Sequence, residues 1–274
     1  MRQIPLPDGT LVPALGQGTW KMGEAGRDGE EVAALRLGIE LGQTLIDTAE
    51  MYGDGAAEEL VGQAIAGQRD RVFLVSKVFP HNAGEKSAVL AVENTLKRVK
   101  TDRLDLYLLH WRGGIPLAET VAAFDRMIRA GKILRWGVSN FDTDDMAELD
   151  ALPGCAVNQV LYSPEHRGIE FDLLPWQAAR KIPVMAYSPV GQGGHLLRNP
   201  AMARVAASHR VSTAQVAIAW GLRQPGVISI PKASTAAHVR ENAAAIDLTL
   251  TAEDLAEIDA AFPPPRRKQN LAML

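Results

Sequence analysis

The chain has 274 residues, of which 47% are hydrophobic and 22% are charged, and its formal net charge is −3. This composition is typical of a globular protein with enough apolar material for a large core. The small negative charge excludes the basic surface that nucleic acid or an anionic membrane requires, and no apolar run suits a signal peptide or a bilayer span. We therefore expect a cytoplasmic protein without a nucleic-acid or membrane partner.

The first element in chain order is a hairpin. Pro7, Asp8 and Gly9 have good turn chemistry and lie between two short extended pieces. Farther along, apolar residues recur at helical spacing, as Val32, Leu35 and Ile39 do. This pattern predicts helices within residues 30–42, 85–100, 117–132 and 251–262.

Short runs of strand type alternate with these helical stretches. They occupy residues 14–20, 44–47, 72–77, 104–110, 133–140, 155–159, 183–188 and 226–232. Most are continuously apolar, as expected of strands buried on both faces of a parallel sheet.

About eight strands that alternate with helices predict a (β/α)8 TIM barrel. We expect one α/β domain over residues 1–274, with an N-terminal β-hairpin and a C-terminal extra helix. The competing fold is an open doubly wound sheet, which normally carries a G-x-G-x-x-G turn after an early strand. No such turn follows any of these strands, and this favours the barrel.

Polar residues follow one strand after another. Because all strands of a parallel barrel end at the same face, these residues are predicted to surround one mouth, where barrel active sites lie. They are Asp47, Lys77, His110, Ser139, Asn140, Gln159, Tyr187, Ser188 and Lys232.

A chemical unit is predicted from the first three of these residues, Asp47, Lys77 and His110, together with Tyr52. A buried Lys77 needs a counter-charge, which Asp47 on the neighbouring strand can supply. The ammonium group is expected to lower the pKa of Tyr52 and so make it a general acid near neutral pH. His110 can donate a hydrogen bond to a carbonyl oxygen. The set suits polarising and protonating a carbonyl group while its carbon is attacked.

The sequence resembles the aldo-keto reductase family, and most closely its bacterial members that reduce methylglyoxal. The resemblance extends from the hairpin to the helix that ends near Phe262, and it rests on several motifs in matching order. They are GQGTW, LIDTAEMYG, LVSKV, LDLYLLHW, GVSNF, NQVLYS, AYSP, and IPKAS followed by EN. The resemblance implies a barrel that reduces carbonyl compounds with NADPH and without a metal. The catalytic residues it implies are Asp47, Tyr52, Lys77 and His110.

The resemblance also implies cofactor contacts. The implied partners of the nicotinamide carboxamide are Ser139, Asn140 and Gln159. Tyr187 matches the aromatic residue that stacks on the nicotinamide ring. The segment from Ser188 to Gly194, with Pro189, Val190, Gly191 and Gly193, matches the loop that closes over the pyrophosphate. The implied neighbours of the adenosine phosphate and adenine are Ile230, Lys232, Ala233, Ser234, His238, Glu241 and Asn242.

Two positions depart from the family pattern. Many members have an arginine at the position of His238 and a serine at the position of Ala233. Neutral histidine lacks the permanent charge and the bidentate geometry of arginine. Ser234 or Thr235 could partly compensate. We expect NADPH to be preferred through Lys232, with NADH as an alternative cofactor.

The predicted substrate pocket has aromatic walls from Trp20, Trp111 and Phe79, which suit a small carbonyl compound. The C-terminal tail is short, so we expect an open mouth that admits small aldehydes and dicarbonyls such as methylglyoxal. We also expect a monomer.

Two other functions compete with this interpretation. The first is a metal-dependent hydrolase or lyase, but one histidine and one carboxylate among the strand ends are too few ligands. The second is a nucleotide-binding sensor that keeps the fold but has little turnover. The presence of Asp47, Tyr52, Lys77 and His110 argues against lost chemistry, although such proteins can retain these residues.

Overall fold

The structure is a computed structural model that describes residues 1–24 and 26–274. Strands and helices alternate over most of this length. The strands are β1 (Gln3–Pro5), β2 (Leu11–Pro13), β3 (Gln17–Gly18), β4 (Leu45–Asp47), β5 (Phe73–Val78), β6 (Leu106–Leu109), β7 (Trp136–Ser139), β8 (Cys155–Leu161), β9 (Val184–Tyr187) and β10 (Val227–Ser229). The helices are α1 (Asp28–Glu40), α2 (Ala56–Ile65), α3 (Ser87–Val99), α4 (Leu117–Arg129), α5 (Thr143–Glu148), α6 (Leu173–Ala179), α7 (His195–Arg198), α8 (Pro200–His209), α9 (Thr213–Leu222), α10 (Ala236–Ala244) and α11 (Ala252–Ala261).

Strands β3 to β10 form one sheet in sequence order, and every adjacent pair is parallel. The two edges of this sheet meet. The backbone N–H of Gly16 donates to the carbonyl of Ser229 at 2.8 Å, and the N–H of Gly18 donates to the carbonyl of Pro231 at 3.1 Å. These bonds close the sheet and leave no free edge on either side. The predicted (β/α)8 barrel is confirmed.

The predicted hairpin is also present, and it closes the N-terminal end of the barrel. Strands β1 and β2 pair antiparallel, and Gly9 takes a φ of 85° in the turn between them. Ile4, Leu6 and Val12 are buried in the same apolar cluster as residues that fill the barrel interior. With the N-terminal end covered, the C-terminal ends of the strands form the open face.

The helices predicted from apolar periodicity correspond to α1, α3, α4 and α11. The other helices, α2 and α5 to α10, are not predicted from the sequence, and α9 shows one reason. Its residues from Val216 to Leu222 are all buried, so the helix lacks the polar face that makes an apolar stripe visible in a sequence. The extra C-terminal helix is α11, whose first turn Thr251 caps by accepting from the N–H of Asp254 at 3.2 Å.

After α11 the chain returns toward the open face. Lys268 lies 3.1 Å from the carboxylate of Asp172 and 3.5 Å from that of Asp142, so the tail crosses the loops after β7 and β8. Its last residues, Met273 and Leu274, border the cavity at the mouth. Even a short tail therefore reaches the mouth by this route and adds two residues to its rim.

Candidate active site

The carboxyl ends of β4, β5 and β6 bring the predicted catalytic residues together. Asp47 is the last residue of β4, Lys77 lies near the end of β5, and His110 directly follows β6. Tyr52 begins a short 3₁₀ turn after β4. Its own N–H donates to the carbonyl of Ala49 at 3.0 Å, which folds the turn back over the strand end.

Lys77 is the centre of this arrangement. Its Nζ donates to Asp47 Oδ2 at 2.8 Å, to Tyr52 Oη at 2.9 Å and to the carbonyl of Thr48 at 3.0 Å. An ammonium group has three N–H donors, so each has a partner. The Lys77 side chain has no exposed surface, and Asp47 is 2% exposed. Such a buried charge is tolerated because it is paired and fully hydrogen-bonded.

The electrostatics differ in one respect from the sequence prediction. Burial raises the pKa of Tyr52, and the opposing attraction of Lys77 does not overcome this effect. Asp47 contributes to the result, because its negative charge also raises the pKa of Tyr52. The predicted lowering of the Tyr52 pKa is therefore wrong in direction. The phenol stays protonated at neutral pH.

The neighbouring groups keep definite charge states. Burial alone would lower the pKa of Lys77, but Asp47 and Tyr52 outweigh it and the pKa is raised. Burial, with a smaller contribution from Lys77, lowers the pKa of His110 to about 2. Lys77 is thus charged and His110 is neutral at any pH near neutrality. Within the described residues, His110 Nδ1 is buried without a hydrogen-bond partner, which favours the tautomer that carries its proton on Nε2.

Asp47 has a second partner, which no sequence pattern indicates. The side-chain amide of Gln159, on β8, donates through Nε2 to Asp47 Oδ1 at 2.7 Å. Both carboxylate oxygens are therefore engaged, one by Lys77 and one by Gln159. The family resemblance implies only a cofactor contact for Gln159. The two residues are far apart in the sequence, and only the curvature of the closed barrel brings β4 and β8 together across its interior.

A cavity of about 600 Å³ opens above these residues. This size is typical of cofactor and substrate pockets. The cavity wall contains Asp47, Tyr52 and His110 from the catalytic set. From the predicted cofactor set it contains Ser139, Asn140, Gln159, Tyr187, Ser188, Pro189, Val190, Gly193, Ile230, Lys232, His238, Glu241 and Asn242.

The remaining predicted cofactor residues lie behind this wall. Gly191 packs against Glu165 and Leu196. Ala233 is buried against α1 and α10, and Ser234 donates to the buried carboxylate of Glu31 at 3.0 Å. The Ser234 hydroxyl proton is committed to that carboxylate in this structure, so it is not available to a phosphate beside Ala233, the position at which many family members have a serine.

The polar groups at the ends of β7 and β9 are joined to one another. Tyr187 Oη donates to Asn140 Oδ1 at 2.9 Å, and Asn140 Nδ2 donates to the carbonyl of His110 at 3.2 Å. Ser139 Oγ donates to the carbonyl of Gln159 at 2.9 Å. Burial raises the pKa of Tyr187 to about 12, so this phenol is also neutral. The network fixes the half-buried Tyr187 ring at the cavity wall.

The segment after Tyr187 bends sharply along one side of the cavity. Ser188, Gly191, Gln192 and Gly193 all have positive φ, between 48° and 73°. Two of these residues are glycines, which adopt this conformation without strain. A Cβ atom at Gly193 would meet nothing within 4 Å. The segment thus presents backbone with few side chains, which suits close approach of an anion.

Lys232 and α10 form the other end of the cavity. Thr235 caps α10 by accepting from the N–H of His238 at 3.3 Å, so the positive end of the helix dipole faces this region. Burial lowers the pKa of Lys232, and Glu31 partly offsets this effect. A lysine beside a helix N-terminus is a suitable place for a phosphate group.

Aromatic and apolar side chains surround the rest of the mouth. Trp20 and Trp111 border the cavity as predicted. Phe79 lies behind Trp111, with the two rings edge to face at 5.7 Å, so it supports the wall and does not form it. Met51, Met273 and Leu274 also border the cavity and were missed. The position of Met51 could have been predicted, because it lies next to Tyr52 in the sequence. No sequence pattern indicates that Met273 and Leu274 reach the cavity.

No cluster of three or more His, Cys, Asp or Glu residues suited to a metal ion occurs in residues 1–24 and 26–274. Over the same residues, the longest apolar helices fall short of what a bilayer crossing requires. Cys155 is buried, and burial raises the pKa of its thiol to about 12.

Comparison with known proteins gives matches over nearly the full length. The profile of the Aldo/keto reductase family matches residues 14–262. The chain is 55% identical to methylglyoxal reductase YeaE of Escherichia coli (strain K12), in an alignment that covers 100% of this chain and 99% of that protein. It is 36% identical to a glyoxal reductase of Bacillus subtilis (strain 168), with 94% of this chain and 91% of that protein covered.

A solved structure agrees with these matches. An aldo-keto reductase of Klebsiella pneumoniae, crystallised in complex with NADPH, superposes with a TM-score of 0.97. The two sequences are 52% identical, and the match covers 100% of this chain and 99% of that one.

Proposed function

Because the chain belongs to the aldo/keto reductase family, we propose that it reduces small aldehydes and dicarbonyls such as methylglyoxal to alcohols, with NADPH as cofactor and Tyr52 as general acid. The observation that carries this proposal is the buried hydrogen-bonded chain from Asp47 through Lys77 to Tyr52 at the wall of the cavity. Two relatives, 55% and 36% identical to this chain over nearly its full length, are named as reductases of methylglyoxal and glyoxal.

The residues around the cavity fit NADPH. The cavity has an aromatic wall at Tyr187 beside the amides of Asn140 and Gln159, which suits a nicotinamide with its carboxamide. The backbone of residues 188–194 would hold the pyrophosphate. Lys232, with the N-terminus of α10, would hold the adenosine 2′-phosphate. His238, Glu241 and Asn242 would surround the adenine and its ribose.

NADPH, when bound, supplies the hydride that reaches the carbonyl carbon of the substrate. The protein supplies the proton and the orientation. Tyr52 Oη donates its proton to the carbonyl oxygen, and its raised pKa ensures that the proton is present at neutral pH. Lys77 then stabilises the resulting phenolate across the 2.9 Å contact. Asp47 keeps Lys77 charged and directs it at the phenol oxygen.

His110 orients the substrate. Because it is neutral and its Nδ1 is enclosed, its Nε2–H is the group that can donate to a carbonyl oxygen next to Tyr52. Two donors on one oxygen fix the direction of the carbonyl group and polarise it. The rest of the substrate would lie against an apolar surface, which is formed by Trp20, Trp111, Met51, Met273 and Leu274.

The decisive experiment compares the wild-type protein with the Tyr52→Phe variant. Wild-type protein should oxidise NADPH in the presence of methylglyoxal, and NADPH more readily than NADH. Tyr52→Phe should lower kcat by about 10²- to 10⁴-fold, the usual contribution of general acid catalysis. Its Kd for NADPH, measured by fluorescence, should stay nearly unchanged.

Tyr107→Phe is the matched control. Tyr107 is fully buried on β6, away from the cavity wall, and among the described residues its hydroxyl has no hydrogen-bond partner. Removing that hydroxyl should leave turnover intact. Full activity in Tyr52→Phe would refute the acid assignment. Tight NADPH binding without turnover on any small carbonyl compound would instead support the sensor function.

A further inference from the structure

The contact between Gln159 and Asp47 suggests a role that the proposed function leaves unassigned. Gln159, Asp47 and Lys77 are each at most 2% exposed. They form a continuous chain of hydrogen bonds, with 2.7 Å between Gln159 Nε2 and Asp47 Oδ1 and 2.8 Å between Asp47 Oδ2 and Lys77 Nζ. This series of hydrogen bonds ends at Tyr52 Oη, 2.9 Å from Lys77 Nζ.

The orientation of the Gln159 amide follows from its partners. An ionised carboxylate only accepts hydrogen bonds, so the NH₂ group of Gln159 must face Asp47. The same nitrogen lies 2.9 Å from the sulfur of Met185, which is also an acceptor. Protein acceptors thus occupy the amide nitrogen, and the carbonyl oxygen Oε1 remains for a ligand in the cavity that Gln159 borders.

We propose that Gln159 is a positioning residue for the proton donor, which acts by holding the Asp47 carboxylate in place against Lys77. The proposal rests on the proposed function, since the donor in question is Tyr52. A ligand carboxamide that donates to Gln159 Oε1 polarises the amide and strengthens its bond to Asp47. Occupancy of the nicotinamide site is in this way communicated to the proton donor through three protein hydrogen bonds.

The cost of losing this bond falls on Asp47. Without Gln159, Oδ1 is a buried carboxylate oxygen without a donor, which is an expensive state. The carboxylate then rotates toward another donor or takes up a proton. Rotation of the carboxylate leaves Lys77 without its fixed partner, and protonation removes its counter-charge. Either change makes Lys77 less firmly charged and less firmly directed at Tyr52, so the phenolate that forms there loses part of the stabilisation that Lys77 provides.

Two substitutions test the donor role. Gln159→Met removes both polar atoms at similar size, and kcat at saturating NADPH should fall about ten- to a hundredfold, the value of one charge-assisted hydrogen bond. Gln159→Glu keeps the shape, and its neutral carboxyl can donate one hydrogen bond to Asp47. This variant should retain activity at low pH and lose it as the pH rises, because two facing carboxylates repel.

The matched control is Cys155→Ala. It alters a buried side chain on the same strand, β8, four residues from Gln159, and it leaves the bond between Gln159 and Asp47 intact. It should therefore change neither the level nor the pH dependence of kcat. A loss of activity equal to that of Gln159→Met would mean that core packing around Gln159 is what matters, and it would overturn the proposal.

A second readout needs no cofactor. The unfolding free energy of the free Gln159→Glu protein, relative to the wild type, should fall as the pH rises. The buried carboxyl holds its proton more tightly in the folded than in the unfolded chain, so the folded state binds more protons. A pH-independent difference, together with a Gln159→Met variant impaired only in NADPH affinity, would overturn the proposal. If the wild type reduces no carbonyl compound, the proposed function fails, while this measurement still tests the contact.

Discussion

Lys77 and Asp47 form an ion pair of 2.8 Å in which neither side chain has appreciable contact with solvent. Each residue is tolerable in the barrel interior because the other is present. The desolvation cost of such a pair is large, and its net stabilisation of the fold is small. The pair is best explained by its position next to Tyr52, where a charged lysine is required.

We predict that Lys77→Met destabilises the protein by about 3–5 kcal/mol, because it leaves Asp47 as an unpaired buried charge. It should also lower kcat by about 10²-fold or more. The double variant Lys77→Met/Asp47→Leu should recover much of the stability but none of the activity. Denaturant unfolding and NADPH oxidation measure the two effects. Recovered activity in the double variant would contradict the role given to Lys77.

The raised pKa of Tyr52 makes a prediction about pH. A proton donor works while it is protonated, so the rate of reduction should stay level across roughly pH 6 to pH 9 and decline only in more alkaline solution. The kcat of wild-type protein with methylglyoxal, measured with saturating NADPH in a constant-ionic-strength buffer series, tests this expectation. A decline centred near neutral pH would show that Lys77 prevails over burial.

His110 should make the fold sensitive to acid. In the unfolded chain a histidine takes up a proton near its ordinary pKa of 6.5, whereas the folded protein holds His110 neutral down to about 2. Stability is therefore lost as the pH falls through this window, at up to about 1.4 kcal/mol per pH unit for one group. In His110→Gln the slope of unfolding free energy against pH, between roughly pH 4 and pH 6, should be smaller by that amount. Parallel curves would contradict it.

His238 provides a test of cofactor preference. An arginine at this position can bind a phosphate in bidentate fashion, so His238→Arg should raise the preference for NADPH over NADH by about tenfold. The ratio of the two Kd values is the measurement. Ala237→Arg is the control, because it adds the same charge at the exposed residue of α10 that directly precedes His238. An equal change in both variants would point to general electrostatics, and no change in either would place the phosphate elsewhere.

The strand order and the mouth could be predicted from the sequence for a physical reason. Strands buried on both faces are continuously apolar, so the first polar residue after each run, such as Asp47 or His110, marks the open face directly. The barrel then brings these residues together whatever their spacing. The location of Tyr52 at the mouth could also be predicted, because Tyr52 lies one turn beyond the strand end that carries Asp47.

Other parts of the site depend on properties that local sequence does not contain. The bond between Gln159 and Asp47 crosses the barrel interior, and no periodicity indicates which strand ends face each other there. The tail that leads to Leu274 forms ion pairs through Lys268 with two separate loops, and no local pattern indicates these partners. The direction of the Tyr52 pKa shift depends on how completely water is excluded, which no residue pattern reports.

The closure of the barrel has a consequence for how the protein comes to be folded. The bond from Gly16 to Ser229 joins the first strand of the barrel to the last, so it forms only after the chain has emerged from the ribosome at least as far as Ser229. Until then β3 is an unpaired edge, and pairing between such distant segments is slow and prone to aggregation. The strands that carry Asp47, Lys77 and His110 are already neighbours at that stage. Closure, and with it the end of the cavity that contains Lys232, is expected to be the last step of folding.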